Sequence, residues 1–160
     1  MEIRIGSLLR GAQEATGTTI IIDVFRAFTT AAVAFSRGAD RIVLVAEVTE
    51  ALDFRDRGVG DLCIGEVAGV RPDGFDHGNS PHEMSTADVE GKTLIQSTRA
   101  GTVGMAAATN ADEIYAGSFA IASATVEAVK RRNPEVVSIV AMGAAGLNRA
   151  DEDEQCALFL

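Results

Sequence analysis

Thr18-Thr-Ile-Ile-Ile22 runs without a break into Asp23-Val-Phe-Arg26-Ala-Phe-Thr-Thr30. An apolar, β-branched run of this length is the pattern of a strand buried on both faces, and the Ala-rich stretch after it, closed by Arg37-Gly38, has the composition of a helix. A buried strand therefore hands an aspartate and an arginine to a strand-to-helix corner. In open α/β sheets such corners lie at the carboxyl edge, where ligands bind. One corner alone also has a plain structural explanation, with Asp23 capping the helix and Arg26 pairing with a surface acid. What decides between the two is whether other corners carry similar groups.

Working outward, residues 2–5 read as a short first strand and residues 8–15 as a helical turn or a loop. Residues 41–45 form a third strand and residues 48–57 a helix, with Thr49 as its cap and Gly58 as its stop. Leu62-Cys-Ile64 leads into Gly65-Glu66, a fourth strand ending in an acid. Strand and helix alternate, which predicts a three-layer αβα fold around a mostly parallel or mixed sheet. The alternation breaks over residues 67–81, which hold two of the three prolines and the run Gly74-Phe-Asp-His-Gly-Asn-Ser-Pro81. A loop of that length carrying Phe, Asp, His and Asn is expected to be an ordered binding loop, and Ser80-Pro81 starts a short helix over residues 82–86.

The second half repeats the theme. The strand at residues 93–96 opens into Ser97-Thr-Arg-Ala-Gly-Thr102, hydroxyls, a glycine and an arginine ahead of an Ala-rich helix at residues 103–108, the makings of an anion cradle. A strand at residues 113–116 leads to Gly117-Ser118 and a helix with Ile121, Thr125, Ala128 and Val129 on one face. The last strand, residues 136–141, runs out at Gly143-Ala-Ala-Gly146, and an acidic helix start, Asp151-Glu-Asp-Glu154, precedes Leu158-Phe-Leu160.

Composition narrows the function. The 160 residues, 47% hydrophobic and 23% charged, suit one soluble domain over 1–160, with no apolar run long enough for a membrane span and no signal-peptide layout, so the chain reads as cytoplasmic. Its apolar end fits either a homodimer contact or a chain cut short. A formal net charge of -9 argues against a nucleic-acid backbone as partner, though not against a small anionic ligand. Twelve of the 14 basic residues are arginines, suited to bidentate binding of phosphate, sulfonate or carboxylate. Cys63 and Cys156 have no metal or redox spacing and read as reduced core thiols. Gly91-Lys-Thr93 lacks the first glycine of a P-loop, and Gly143 to Gly146 lacks a dinucleotide fingerprint. What remains is acids (Asp23, Glu66, Asp76, Glu152, Asp153, Glu154) and arginines (Arg26, Arg99) on separate corners. Carboxylates with oxygen donors suit Mg²⁺, which also takes waters and phosphate oxygens, so a magnesium-assisted phosphoryl site is the sharpest reading.

Five stretches together, Asp23-Val-Phe-Arg26-Ala, Gly65-Glu66, Gly74 to Pro81, Ser97 to Thr102 and Glu152-Asp-Glu-Gln-Cys156, resemble the 2-phosphosulfolactate phosphatase (ComB) family in order along nearly the whole chain. The resemblance implies an α/β fold of its own kind, Mg²⁺ dependence, and release of phosphate from 2-phosphosulfolactate to give sulfolactate on the way to coenzyme M. It also implies a chain incomplete at its C-terminus. Where many members read Thr-Thr-Asn-Gly-Thr, this chain has Arg99. On this reading Asp23, Glu66, Glu152 and Asp153 are the metal ligands, and Asp23, Arg26 and Asp76 the catalytic set. Ser97, Thr98, Arg99, Gly101, Thr102 and Ser118 grip the small phosphorylated substrate, while Asn79 and Ser80 shape the pocket. Phe25 stands where haloacid-dehalogenase phosphatases carry a second aspartate, which favours attack by metal-activated water over a phosphoenzyme. The alternative is a non-catalytic anion-binding or scaffolding domain built on the same corners.

Overall fold

The computed structural model describes residues 1–160. Strand β1 (Glu2–Ser7) and helix α1 (Leu8–Glu14) lead into β2 (Gly17–Ile22) and α2 (Ala27–Ser36). The chain continues through β3 (Arg41–Val45), α3 (Val48–Asp56), β4 (Leu62–Gly65), the single turn α4 (Pro81–Met84), β5 (Thr93–Ser97) and α5 (Gly101–Ala107). It closes with β6 (Ala111–Gly117), a 3-10 turn, α6 (Ala122–Arg132), β7 (Val136–Ala141) and α7 (Asp151–Phe159). No helix is long and apolar enough to cross a membrane.

The α/β class and the parallel pairing are as expected, but the strands divide between two sheets. One has the order β1-β7-β2-β6 and the other β3-β5-β4, every neighbouring pair parallel. The second sheet is an insertion between β2 and β6 of the first. Each sheet is covered on both faces, so the αβα sandwich occurs twice with a shared middle layer. On β2, Ile20 and Ile22 join Val137, Ile139, Cys156 and Ala157 on the face covered by α6 and α7. Ile21 faces the other way, into a cluster with Phe28, Ala100, Val140 and Met142. Helix α2 turns Ala34 toward Ile64 and Leu94 of the second sheet and Met84 of α4. A buried isoleucine is worth about 1.5–3 kcal/mol, and the alternating sides of one strand thereby tie it to two helical layers.

The middle strands set the site. Asp23 follows β2 and Met142-Gly143 follow β7, the two inner strands of the larger sheet, while Thr98-Arg99 follow β5, the middle strand of the smaller one. Glu66 follows β4. At that end Gly65, with φ +147°, lies against the Ser97 carbonyl so closely that a Cβ could not be accommodated. The stretch after Glu66 is ordered, as its composition suggested. Val67 and Val70 exchange backbone hydrogen bonds of 2.9 and 3.1 Å across a tight turn. Phe75 is buried against Val45, Ala51, Cys63 and Ile95. His77 bridges to Ile64, so the segment lies back along the outer edge of β4. Ser80 caps α4 by accepting the Glu83 amide at 3.3 Å with Pro81 in the first turn. Thr49 does not cap α3: Glu47 holds that position, with extended backbone and no side-chain cap bond. Both cysteines are free and buried.

Candidate active site

Five residues singled out in the sequence line one cleft of about 620 Å³: Asp23, Arg26, Glu66, Asn79 and Arg99. The cleft lies between the two sheets, at strand ends contributed by both. Its far wall is the turn Gly143, Ala144, Ala145 and Leu147, and Phe25, Val67, Ala68, Gly69 and Ala100 complete the lining.

Asp23 serves the helix and the cleft at once. Its Oδ1 accepts the Ala27 amide at 3.0 Å, at the start of α2, and its Oδ2 accepts the Gly101 amide at 2.8 Å, at the start of α5. The half of the structural explanation that gives Asp23 to the helix start holds, the half that pairs Arg26 with a surface acid does not, and the same carboxylate also faces the cleft. Burial pushes its pKa up to about 6; the Ala27 and Gly101 amides oppose this, and the nearby charges of Asp153 and Glu66 add to it. Glu66 stitches the second sheet to its loop, accepting the Arg99 amide at 2.9 Å on Oε1 and the Gly69 amide at 2.7 Å on Oε2. Of the cleft's two guanidiniums, Arg26 makes no ion pair, and Arg99 has only Glu47, Nη1 to Oε2 at 3.5 Å. Asn79 is buried, and its Oδ1 has no donor in the protein.

The remaining expected site residues fall outside the cleft lining. Asp153 sits beneath it, accepting the Val24 amide at 2.8 Å on Oδ1 and the Gly143 amide at 2.7 Å on Oδ2. It thereby joins α7 to the ends of β2 and β7, and burial raises its pKa. Thr98 and Thr102 spend their hydroxyls on each other's backbone, Thr102 Oγ1 accepting the Thr98 amide at 2.8 Å and donating to the Thr98 carbonyl at 2.8 Å. Ser97 donates to the Ala46 carbonyl at 3.4 Å. These three shape the corner without presenting a free hydroxyl. Ser118 is fully buried with its Oγ unpartnered, and Glu152 is half-buried on the first turn of α7. Asp76 accepts the Cys63 amide at 2.8 Å and lies 3.5 Å from Arg55, on the side of the second sheet away from the cleft. The far wall was not anticipated, although a small-residue run directly after a buried strand, Gly143 to Gly146, was there to signal it.

Gly101 is in its place because of Asp23. A Cβ there would come within 2.9 Å of Asp23 Oδ2 and 3.0 Å of Ala27 Cβ and Phe28 Cζ. Gly101→Ala is expected to push the carboxylate off its amide and cost about 1–3 kcal/mol in a denaturant melt. A cost below about 0.5 kcal/mol would mean that the corner relaxes freely.

Nowhere do three His, Cys, Asp or Glu side chains converge into a ready-made cage. The donors that line the cleft still fit Mg²⁺, which takes one or two carboxylates and keeps several waters: Asp23, Glu66 and the unpartnered Asn79 oxygen are hard oxygen donors along one wall system.

The family described as 2-phosphosulpholactate phosphatase matches residues 6–160. A probable 2-phosphosulfolactate phosphatase of Bacillus subtilis (strain 168) is 38% identical over 143 residues, covering 88% of this chain and 61% of the relative. Proteins of the same name from Thermotoga petrophila and Thermoplasma volcanium are 39% and 36% identical, covering 81% and 80% of this chain and 55% and 60% of their own lengths. The chain thus spans a little over half the length of the curated relatives it matches.

Proposed function

The chain belongs to the 2-phosphosulpholactate phosphatase family, and from that premise we propose that its cleft hydrolyses a small, multiply anionic phosphomonoester of the 2-phosphosulfolactate kind. The observation that carries this reading is the meeting of two carboxylates and two weakly engaged guanidiniums, from the ends of three strands, β2, β4 and β5, in one cleft. Arg26 and Arg99 provide forks for the phosphate and for the sulfonate or carboxylate, which an otherwise acidic protein would repel. Their separate corners hold the two ends of the substrate and orient the phosphorus toward the acids. In the reaction a water oxygen forms the new bond to phosphorus, the ester P–O bond breaks, and the leaving oxygen takes up a proton to become the alcohol of sulfolactate. Mg²⁺, held by Asp23 and Glu66 with Asn79 Oδ1, would neutralise phosphoryl charge and lower the pKa of a bound water. Asp153, the Thr98–Thr102 pair and Gly101 keep Asp23 in place.

The test is phosphate release from 2-phosphosulfolactate by the purified chain, with Mg²⁺ and with a chelator. Magnesium-dependent release supports the reading, and release indifferent to chelator removes the metal from it. Calorimetric binding of sulfolactate with no release under any condition would instead favour an anion-binding domain.

A further inference from the structure

In the parallel pairing of β3 with β5, Val45 stands opposite Ser97. Two residues further on, beyond the sheet edge, the same side-by-side course sets Glu47 against Arg99, and the two meet at 3.5 Å. The Arg99 amide is fixed by Glu66 Oε1 at 2.9 Å, so the freedom of this residue lies in its side chain. That side chain is 40% exposed and Glu47 is 63% exposed, which places the pair among those worth little and easily exchanged. Glu47 also occupies the N-cap position of the nine-residue α3, where the helix dipole steadies a carboxylate whose partner has left. Arg26, the other guanidinium of the cleft, has no such counter-charge.

We infer that Glu47 sets the substrate specificity of the cleft by parking Arg99 at its rim, from which the second anionic group of a ligand must win it. This rests on the reading of the cleft as an anion site. Glu47 is a positioning residue: it acts through Arg99 and touches neither substrate nor metal. Its presence penalises ligands that need both guanidiniums and leaves those that need only Arg26 unaffected.

The experiment is a double-mutant cycle of Glu47→Gln and Arg99→Gln, read by calorimetry with sulfolactate and with inorganic phosphate as probes. Glu47→Gln is expected to tighten sulfolactate by about 2–5-fold, the range of one exposed pair, and to lower KM for 2-phosphosulfolactate without changing kcat. In the Arg99→Gln background the same change is expected to do nothing, and Glu47→Asp to keep the parent affinity. Unchanged or weaker sulfolactate binding by Glu47→Gln overturns the inference, as does an equal shift with Arg99 absent. If sulfolactate and phosphate bind to none of the variants, the cleft is not an anion site and both readings fall; if they bind and Glu47→Gln is silent, this one alone falls.

Discussion

Asp23→Asn is expected to lower phosphate release by roughly 10³-fold while the chain stays folded, and to flatten the pH dependence of its stability. The first effect follows from the place of this carboxylate, which faces the cleft and is fixed by two backbone amides. Removing such a preorganised charge leaves Glu66 as the one carboxylate lining the cleft. The second effect follows from the pKa. Burial raises it from 3.8 to about 6 in the folded chain, so between those values the native state holds a proton that the unfolded state has already released. Stability therefore falls as pH rises through that window, by about 3 kcal/mol in all, and about 2 kcal/mol of this lies between pH 4.5 and 7.5. Asparagine has no proton to lose. In urea melts at those two pH values the variant should gain about 2 kcal/mol on the parent, offset at both by a constant loss, because its amide can accept only one of the two N–H groups. Parallel pH profiles for the two proteins would show that the buried carboxyl titrates normally. Retained turnover would take Asp23 out of the chemistry.

Asp153→Ala is expected to be the most destabilising single change in the site region, at about 3–5 kcal/mol. It strips two buried amides, Val24 and Gly143, of their acceptor, and each orphaned donor costs about 1–3 kcal/mol. Relief of the buried charge offsets part of that. For a domain with about ten kcal/mol to lose, the remainder is large. Asp153→Asn keeps one acceptor and should recover about half. The measurement is an equilibrium denaturant melt of all three proteins; a loss under 1 kcal/mol in the alanine variant would mean that water takes over the amides and that α7 is not locked to the strand ends.

The parts of the fold that could be read in the sequence were those written in local pattern. Residues 41–45 and 136–141 were placed to the residue, because β-branched runs bounded by turn signals have few other solutions. The corner residues Asp23, Glu66 and Arg99 were legible because each follows such a run. What could not be read is where the chain goes after a helix: nothing in residues 27–40 says that β3 begins a second sheet rather than extending the first. The roles of individual acids were hidden for the same reason. Asp153, in a helix start, and Asp76, in a loop, carry the same carboxylate as Glu66, yet one holds Val24 and Gly143 from below and another holds Cys63 beside Arg55, and those partners are set by tertiary packing alone. The threonines of the second corner looked like ligands because hydroxyls before a helix suit both anion binding and capping, and here they satisfy one another.

The strands that carry Asp23, Gly143 and Arg99 are flanked on both sides, whereas Phe25, Val67 and Leu147 stand at exposed turns around them. Framework and fringe are thus free to change independently. A lineage that alters the mouth or swaps one guanidinium for another group can acquire a new preference without disturbing Asp23, whose carboxylate is held at the end of an inner strand by the amides of two helices.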